Sequence, residues 1–205
     1  MGFYDRYCLP LLLDFACGMK PIRKQREKIL PLARGQILEV GIGTGLNLAH
    51  YDPAKVEKIW GLDPATDMHR KARKRLAGTS LDVELMPLSA ETIPGEDARF
   101  DTVVLTYTLC SIPDPVAALR EMKRVLKPGG QLIFCEHGKS PDPGVARWQE
   151  RLTPAWRRIA GDCRIGRDIP ALLAEGGFTP DDLQQGYIPG PKPLAYNYWG
   201  TAPAG

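Results

Sequence analysis

Hydrophobic and polar positions alternate along the chain in two rhythms. Short, nearly continuous apolar runs recur as "QILEVG" (36–41), "EKIWGLD" (57–63), "LDVELM" (81–86), "FDTVVLTYT" (100–108) and "GGQLIFCEH" (129–137). Runs of this length without polar interruption read as strands buried on both faces. Between them lie segments with apolar residues at helical spacing, most clearly "TDMHRKARKRLA" (66–77) and "DPVAALREMKRVL" (114–126), and "LNLAHY" starts a helix directly after the first strand. Strands alternating with helices predict a parallel sheet covered on both sides. Beyond residue 140 the rhythm changes. "GVARWQERLTPAWRRIAGDC" predicts a helical excursion, "DIPALLAEGGF" a further helix, and the tail from Phe178 two final strands. Their Pro/Gly-rich connection suits a long hairpin loop better than a helix.

The bulk composition narrows this picture only a little. With 205 residues, 43% hydrophobic and 25% charged, the chain fits one ordinary globular domain. A net charge of +3 is too mild to argue for nucleic acid. The five cysteines (Cys8, Cys17, Cys110, Cys135, Cys163) are scattered, with no C-x-x-C pair. That pattern speaks against a disulfide framework or a zinc site and for a reducing compartment. The apolar N-terminal stretch "CLPLLLDFACGM" is interrupted by Pro10 and Asp14 and is too short to span a bilayer. It also lacks the basic start and cleavage site of a signal peptide, so the expected location is cytoplasmic.

The candidate chemistry begins where the first strand ends, in "EVGIGTGLN". A dinucleotide loop reads G-x-G-x-x-G, its third glycine allowing helix and strand to pack. Here the glycines are Gly41, Gly43 and Gly45, and Leu46 stands where the dinucleotide pattern wants glycine or alanine. The loop therefore departs from the pyrophosphate pattern. Asp63 closes the second strand, 22 residues after Gly41. A carboxylate there can accept hydrogen bonds from both hydroxyls of a ribose. Taken singly, each feature has a plain alternative: a tight turn, a helix N-cap at Asp63, a solvated acid at Glu91.

Taken together, "EVGIGTGLN", "GLDPATDM", "SAETIP", "FDTVVLTYTLCSI" and "VLKPGGQLIFCEHG" resemble the ordered motifs of class I S-adenosylmethionine-dependent methyltransferases. The resemblance implies an α/β, Rossmann-like sheet of seven strands, six parallel and one antiparallel, with helices on both faces and a helical cap. It implies an N-terminal helical lid (1–34), a cofactor-binding core (35–137), a cap (138–176) and a C-terminal β-hairpin (177–205). It also assigns roles. Gly41, Gly43 and Gly45 would let the backbone approach the methionine moiety, with Glu39 positioning the loop and Asn47 among the cofactor-binding residues. Asp63 would hold the ribose, Pro64 and Met68 would border the adenine, and Ser89, Ala90 and Glu91 would reach its edge. Thr106 would lie near the methionine end. The cofactor expected is S-adenosylmethionine, leaving as S-adenosylhomocysteine, with no metal.

The methyl acceptor is read less directly. His137, after the fifth strand, is the candidate general base, since an imidazole titrates near neutrality. Asp14 is a secondary candidate, able to orient His137 or meet the cofactor's ammonium. Tyr4, Tyr7, Tyr196 and Tyr198 are taken as packing residues, and Cys110 and Cys163 as inert. "TYTLCSI", the "W-Q-x-x-L-x-P-A-W" run and "GDCRIGRDIPALL" resemble the methyltransferase-like thiol S-methyltransferases and bacterial relatives, some labelled phosphatidylethanolamine N-methyltransferases. This resemblance implies methylation of a small thiol such as sulfide or methanethiol, giving a thioether such as dimethyl sulfide. A lipid or small-amine N-methyltransferase is the alternative, and a non-catalytic S-adenosylmethionine-binding module a remoter one. The basic segments 20–28 and 69–75 are read as solvated helix faces, although they would allow peripheral contact with anionic lipid. No nucleic-acid partner is expected. A nicotinamide oxidoreductase is disfavoured by Leu46 and by the lack of a Tyr–Lys pair.

Overall fold

The computed structural model describes residues 3–205. Residues 1 and 2 of the expected lid segment lie outside the described residues. Seven strands form one sheet: β1 (Gly35–Val40), β2 (Val56–Leu62), β3 (Val83–Met86), β4 (Phe100–Thr106), β5 (Leu126–His137), β6 (Asp182–Tyr187) and β7 (Tyr196–Pro203). Their order is β3-β2-β1-β4-β5-β7-β6. All neighbours are parallel except at β7, which runs antiparallel to both β5 and β6. The sheet therefore has the expected six parallel strands and one antiparallel strand.

Alternate residues of the central strands build two cores. Leu38, Val103, Leu132 and Phe134 face one side, where they meet Leu119 and Met122 of α4 (Pro115–Val125) and Leu173 of α6 (Ile169–Glu175). Ile37, Ile59, Val104 and Ile133 face the other, against Ile29 of α2 (Lys20–Ile29) and Leu30. Both faces are apolar, which is why the strands read as unbroken runs.

The chain enters through a π-helical stretch (Tyr4–Cys8), α1 (Leu9–Gly18) and α2. α3 (Thr66–Leu76) follows β2, and α5 (Pro143–Ile159) with α6 follows β5. No helix among the described residues is long and apolar enough to cross a membrane.

Two local expectations are corrected. "LNLAHY" forms successive turns, not a helix, closed by Gly45 N–H to Ile42 O (2.8 Å) and His50 N–H to Asn47 O (2.8 Å). Gly43 and Gly45 sit at φ +53° and +78°, outside the helical region, and Pro53 ends the segment before a helix could propagate. The link between β6 and β7 contains one helical turn, α7 (Lys192–Ala195), opened by Pro191 and Pro193, whose fixed φ suits a first turn.

Candidate active site

A cleft of about 320 Å³ lies at the carboxyl ends of β1, β2 and β4. It falls between β1 and β4, where the strand order reverses, the usual position for a ligand in an open α/β sheet. α1 lies across it, contributing Leu9, Leu13, Asp14 and Cys17.

The glycine loop is shaped for close approach. Gly41 and Ile42 both donate to Leu62 O (2.7 and 3.1 Å), tying the loop to the end of β2. A Cβ at Gly41 would run into the Thr108 side chain, whereas one at Gly43 would meet nothing nearer than 3.8 Å and would project into open space. Gly45 behaves differently. Its Cβ would meet Leu48 Cδ1 at 2.9 Å and Ala72 Cα at 3.2 Å, and it does not line the cleft. The ligand-binding role expected of Gly45 is thus corrected: it lets the turn pack on α3.

Asp63 braces the same loop. Its Oδ2 accepts from Gly43 N–H (2.9 Å) and its Oδ1 from Ala65 N–H (2.8 Å). Burial pushes its carboxyl up, opposed by these two N–H groups. Each oxygen keeps one lone pair, the capacity a ribose diol requires. Pro64, Met68, Ser89, Ala90 and Glu91 line the adjoining wall, and the Ser89 hydroxyl bonds to the Glu91 carboxylate.

Beneath the loop runs a buried polar chain that sequence reading found only in part. Glu39 is 1% exposed; it accepts from Asn47 Nδ2 (3.0 Å) and Tyr51 OH (2.8 Å). Burial pushes its carboxyl up to about 7, against those hydrogen bonds and the Arg26 charge. Asn47 also donates to Thr106 Oγ1 (2.9 Å) and accepts from Arg26 Nε (2.8 Å). Arg26, 4% exposed, donates to Cys17 O (2.6 Å) and lies over the Tyr107 ring. The basic segment 20–28 is therefore not a uniformly solvated face. The missed signal was its spacing, because Arg26 falls on the same helical face as Ile22 and Ile29.

Tyr107 itself has φ +52°, unusual for a bulky residue, and its hydroxyl donates to Asn197 Oδ1 (2.7 Å). It belongs to the cleft wall with Thr108, Ser111, Ile112 and Pro113.

Neither expected catalytic group stands ready as a base. Asp14 lines the cleft, but it accepts from Thr44 Oγ1 (2.6 Å) and pairs with Lys71 (2.7 Å) and Arg75 (2.9 Å). Burial raises its carboxyl, and the bonds from Arg75, Lys71 and Thr44 outweigh this, holding it at about 2. A carboxylate so held is a latch between α1 and α3. His137 does not line the cleft. Its Nε2 lies 3.3 Å from Cys163 Sγ, and its Nδ1 has no partner. It ends β5 behind the cleft wall, its ring stacked at 6.4 Å on that of Tyr107, so the structure places the expected base next to the lining and not in it. Tyr4, Tyr7, Tyr196 and Tyr198 also lie outside the lining. Tyr4 and Tyr198 spend their hydroxyls on the carbonyls of Ile159 and Lys139.

The comparisons agree with this geometry. A family model described as "Methyltransferase domain" matches residues 38–134. The chain is 35% identical over 152 residues to thiol S-methyltransferase TMT1B of Rattus norvegicus, covering 72% of this chain and 62% of that one. It is 33% identical over 192 residues to a phosphatidylethanolamine N-methyltransferase of Cereibacter sphaeroides, covering 85% of this chain and 91% of the relative. The chain thus spans less than two thirds of the rat relative's length but nearly all of the bacterial one's. Among solved structures it shares its fold with the N-methyltransferase NodS of Bradyrhizobium japonicum in complex with S-adenosylhomocysteine. That likeness has a TM-score of 0.70 at 17% identity, over 97% of this chain and 93% of that one. A glycine loop braced by a ribose-ready carboxylate, on this sheet and with these relatives, leads to one conclusion: the chain belongs to the S-adenosylmethionine-dependent methyltransferase family.

Proposed function

We propose that the protein transfers a methyl group from S-adenosylmethionine to a small thiol. When bound, the cofactor supplies an electrophilic methyl on a sulfonium. Asp63 would hold the ribose diol, with Pro64 and Met68 beside the adenine and Ser89, Ala90 and Glu91 at its edge. The backbone of Gly41 and Gly43 would border the methionine moiety, with Thr106 and Asn47 beneath it. The N-terminal helices, latched by Asp14, would cover the site as a lid and exclude water.

The observation that carries the thiol reading is Arg26. It is a buried cation lining the cleft, whose lining also includes the apolar side chains of Leu9, Leu13, Cys17, Ile112 and Pro113. A fixed positive charge at the cleft favours an anionic nucleophile and disfavours a protonated amine. The Arg26 charge would lower the pKa of a bound thiol and raise its thiolate fraction at neutral pH, so that its proton can pass to water without a protein base. The thiolate sulfur then bonds to the methyl carbon as the sulfonium C–S bond breaks, and the bond's electron pair stays with the departing thioether.

In the test, Arg26→Gln lowers kcat at saturating methanethiol about ten-fold at neutral pH and recovers as pH rises past the pKa of the bound thiol, as expected if that pKa rises by about one unit. A loss of the same size at every pH would overturn the role given to Arg26.

A second reading, methylation of a lipid amine, is favoured by one observation. Phe3, Leu11 and Phe15 are 75%, 56% and 74% exposed at the start of the chain, and Trp148 of α5 is exposed as well. Exposed apolar side chains of this kind suit a lipid surface, and one relative is a phosphatidylethanolamine N-methyltransferase.

A further inference from the structure

Behind the cleft wall the fold gathers three soft ligands from three separate segments. Cys110 comes from the loop after β4, His137 is the last residue of β5, and Cys163 comes from the connection between α5 and α6. Their ligand atoms all lie within 4.8 Å of one another. Cys110 and Cys163 are buried, and Cys163 Sγ stands 3.3 Å from His137 Nε2. Sequence spacing alone spoke against a zinc site, but the topology brings these three side chains together.

We propose that Cys110, His137 and Cys163 form a binding site for a thiophilic divalent cation of the zinc class, with a fourth position left to a non-protein ligand. Bond lengths of zinc to sulfur and nitrogen require a tetrahedral S–N edge of about 3.6 Å and an S–S edge of about 3.8 Å. The observed S–N separation is already within a few tenths of an ångström of that edge. Two thiolates and an imidazole are a donor set zinc accepts, and three protein ligands leave one position open.

The segments bearing the ligands are pinned to one another next to each ligand. Arg164 N–H donates to Cys110 O (3.0 Å), Lys139 N–H to Arg167 O (2.8 Å), and the Arg167 guanidinium to the carbonyls of Leu109 and Ile112. Gln149 Nε2 bridges Gly138 O (2.9 Å) and Ile165 O (3.1 Å). Ligands held on a braced scaffold are the condition for a preorganised site. The polar capacity around the cluster is also unfilled: His137 Nδ1 and the buried Glu136 Oε2 have no partner. Ser111, next to Cys110, and Gly161, two residues before Cys163, line the cleft. The cation would therefore fix the wall of the acceptor end from behind. The inference does not depend on which acceptor is methylated.

The test uses the whole chain, purified with reductant and without chelator. Zinc is quantified by elemental analysis, and cobalt(II) is titrated into chelator-treated protein and followed by absorbance. About one zinc per chain is expected, with a thiolate-to-cobalt charge-transfer band. Cys110→Ser, Cys163→Ser and His137→Gln should each weaken cobalt binding about ten-fold or more, while Cys8→Ser leaves it unchanged. Circular dichroism identifies any variant that fails to fold, and the wild-type titration stands without the variants. The proposal is overturned if reduced wild-type protein gives no charge-transfer band, or if the band survives all three substitutions. Isolation with a Cys110–Cys163 disulfide, together with no metal uptake after reduction, would overturn it too and make the pair a redox element.

Discussion

The backbone N–H of Gly43 donates to the Asp63 carboxylate at 2.9 Å, joining the end of β1 to the end of β2 across the mouth of the cleft. One acidic side chain thus fixes the loop and keeps a lone pair on each oxygen for a diol. Asp63→Ala is expected to weaken S-adenosylmethionine binding by at least about ten-fold, the cost of roughly one charge-assisted hydrogen bond. Asp63→Asn, which keeps one acceptor, should lose less. Calorimetric titration of S-adenosylhomocysteine reads both; equal affinity in Asp63→Ala and wild type would remove Asp63 from the site.

The three glycines separate by function. Gly43→Ala has room, so the fold should survive with a strain of about 1 kcal/mol from its positive φ, while cofactor affinity falls. Gly45→Ala meets Leu48 and Ala72 and should cost about 1–3 kcal/mol of stability. Urea midpoints and S-adenosylhomocysteine affinity, measured on both variants, should give opposite rankings.

Asp14 holds α1 to Thr44 of the glycine loop and to Lys71 and Arg75 of α3. Its carboxyl is depressed from 3.8 to about 2, so the stability it contributes is present above about pH 4 and is lost as pH falls towards 2. Between pH 5 and 9 the latch is constant. Asp14→Asn should therefore raise KM for the cofactor several-fold with a pH profile parallel to wild type. A change in the shape of that profile would restore Asp14 as an acid–base group.

Glu39 has the opposite sign. Burial raises its carboxyl from 4.5 to about 7, so between those values the folded chain keeps a proton that the unfolded chain has released. Stability should fall as pH rises through this window, by roughly 2–3 kcal/mol, and level off above it. Glu39→Gln should flatten that part of the slope. Urea unfolding at pH 5 and pH 8 checks it, and an unchanged slope in the variant would show that Glu39 is not the group responsible.

The five core strands were legible in the sequence because buried parallel strands are apolar on both faces, whereas their order in the sheet was not. Glu39, Asn47, Asp63, Pro64, Met68 and Thr106, which the family resemblance picked out, all line the cleft. Residues whose place depends on tertiary packing were less legible. Arg26 was hidden in a charge-rich segment, although its helical phase with Ile22 and Ile29 was visible. His137 was assigned to the cleft because it follows a strand, but the end of β5 lies one strand beyond the β1/β4 opening. Cys110, His137 and Cys163 meet only through the sheet order and the α5–α6 connection, and no spacing rule announces that.

The thiol reading is tested most directly by supplying purified protein and S-adenosylmethionine with methanethiol, sulfide or phosphatidylethanolamine vesicles, and quantifying volatile thioether, methylated lipid and S-adenosylhomocysteine together. The predicted result is dimethyl sulfide from methanethiol, equal in amount to S-adenosylhomocysteine and much reduced in Asp63→Ala at limiting S-adenosylmethionine. Methylated lipid with no volatile product would contradict the thiol assignment and make the exposed apolar side chains of Phe3, Leu11 and Phe15 candidates for contact with the lipid.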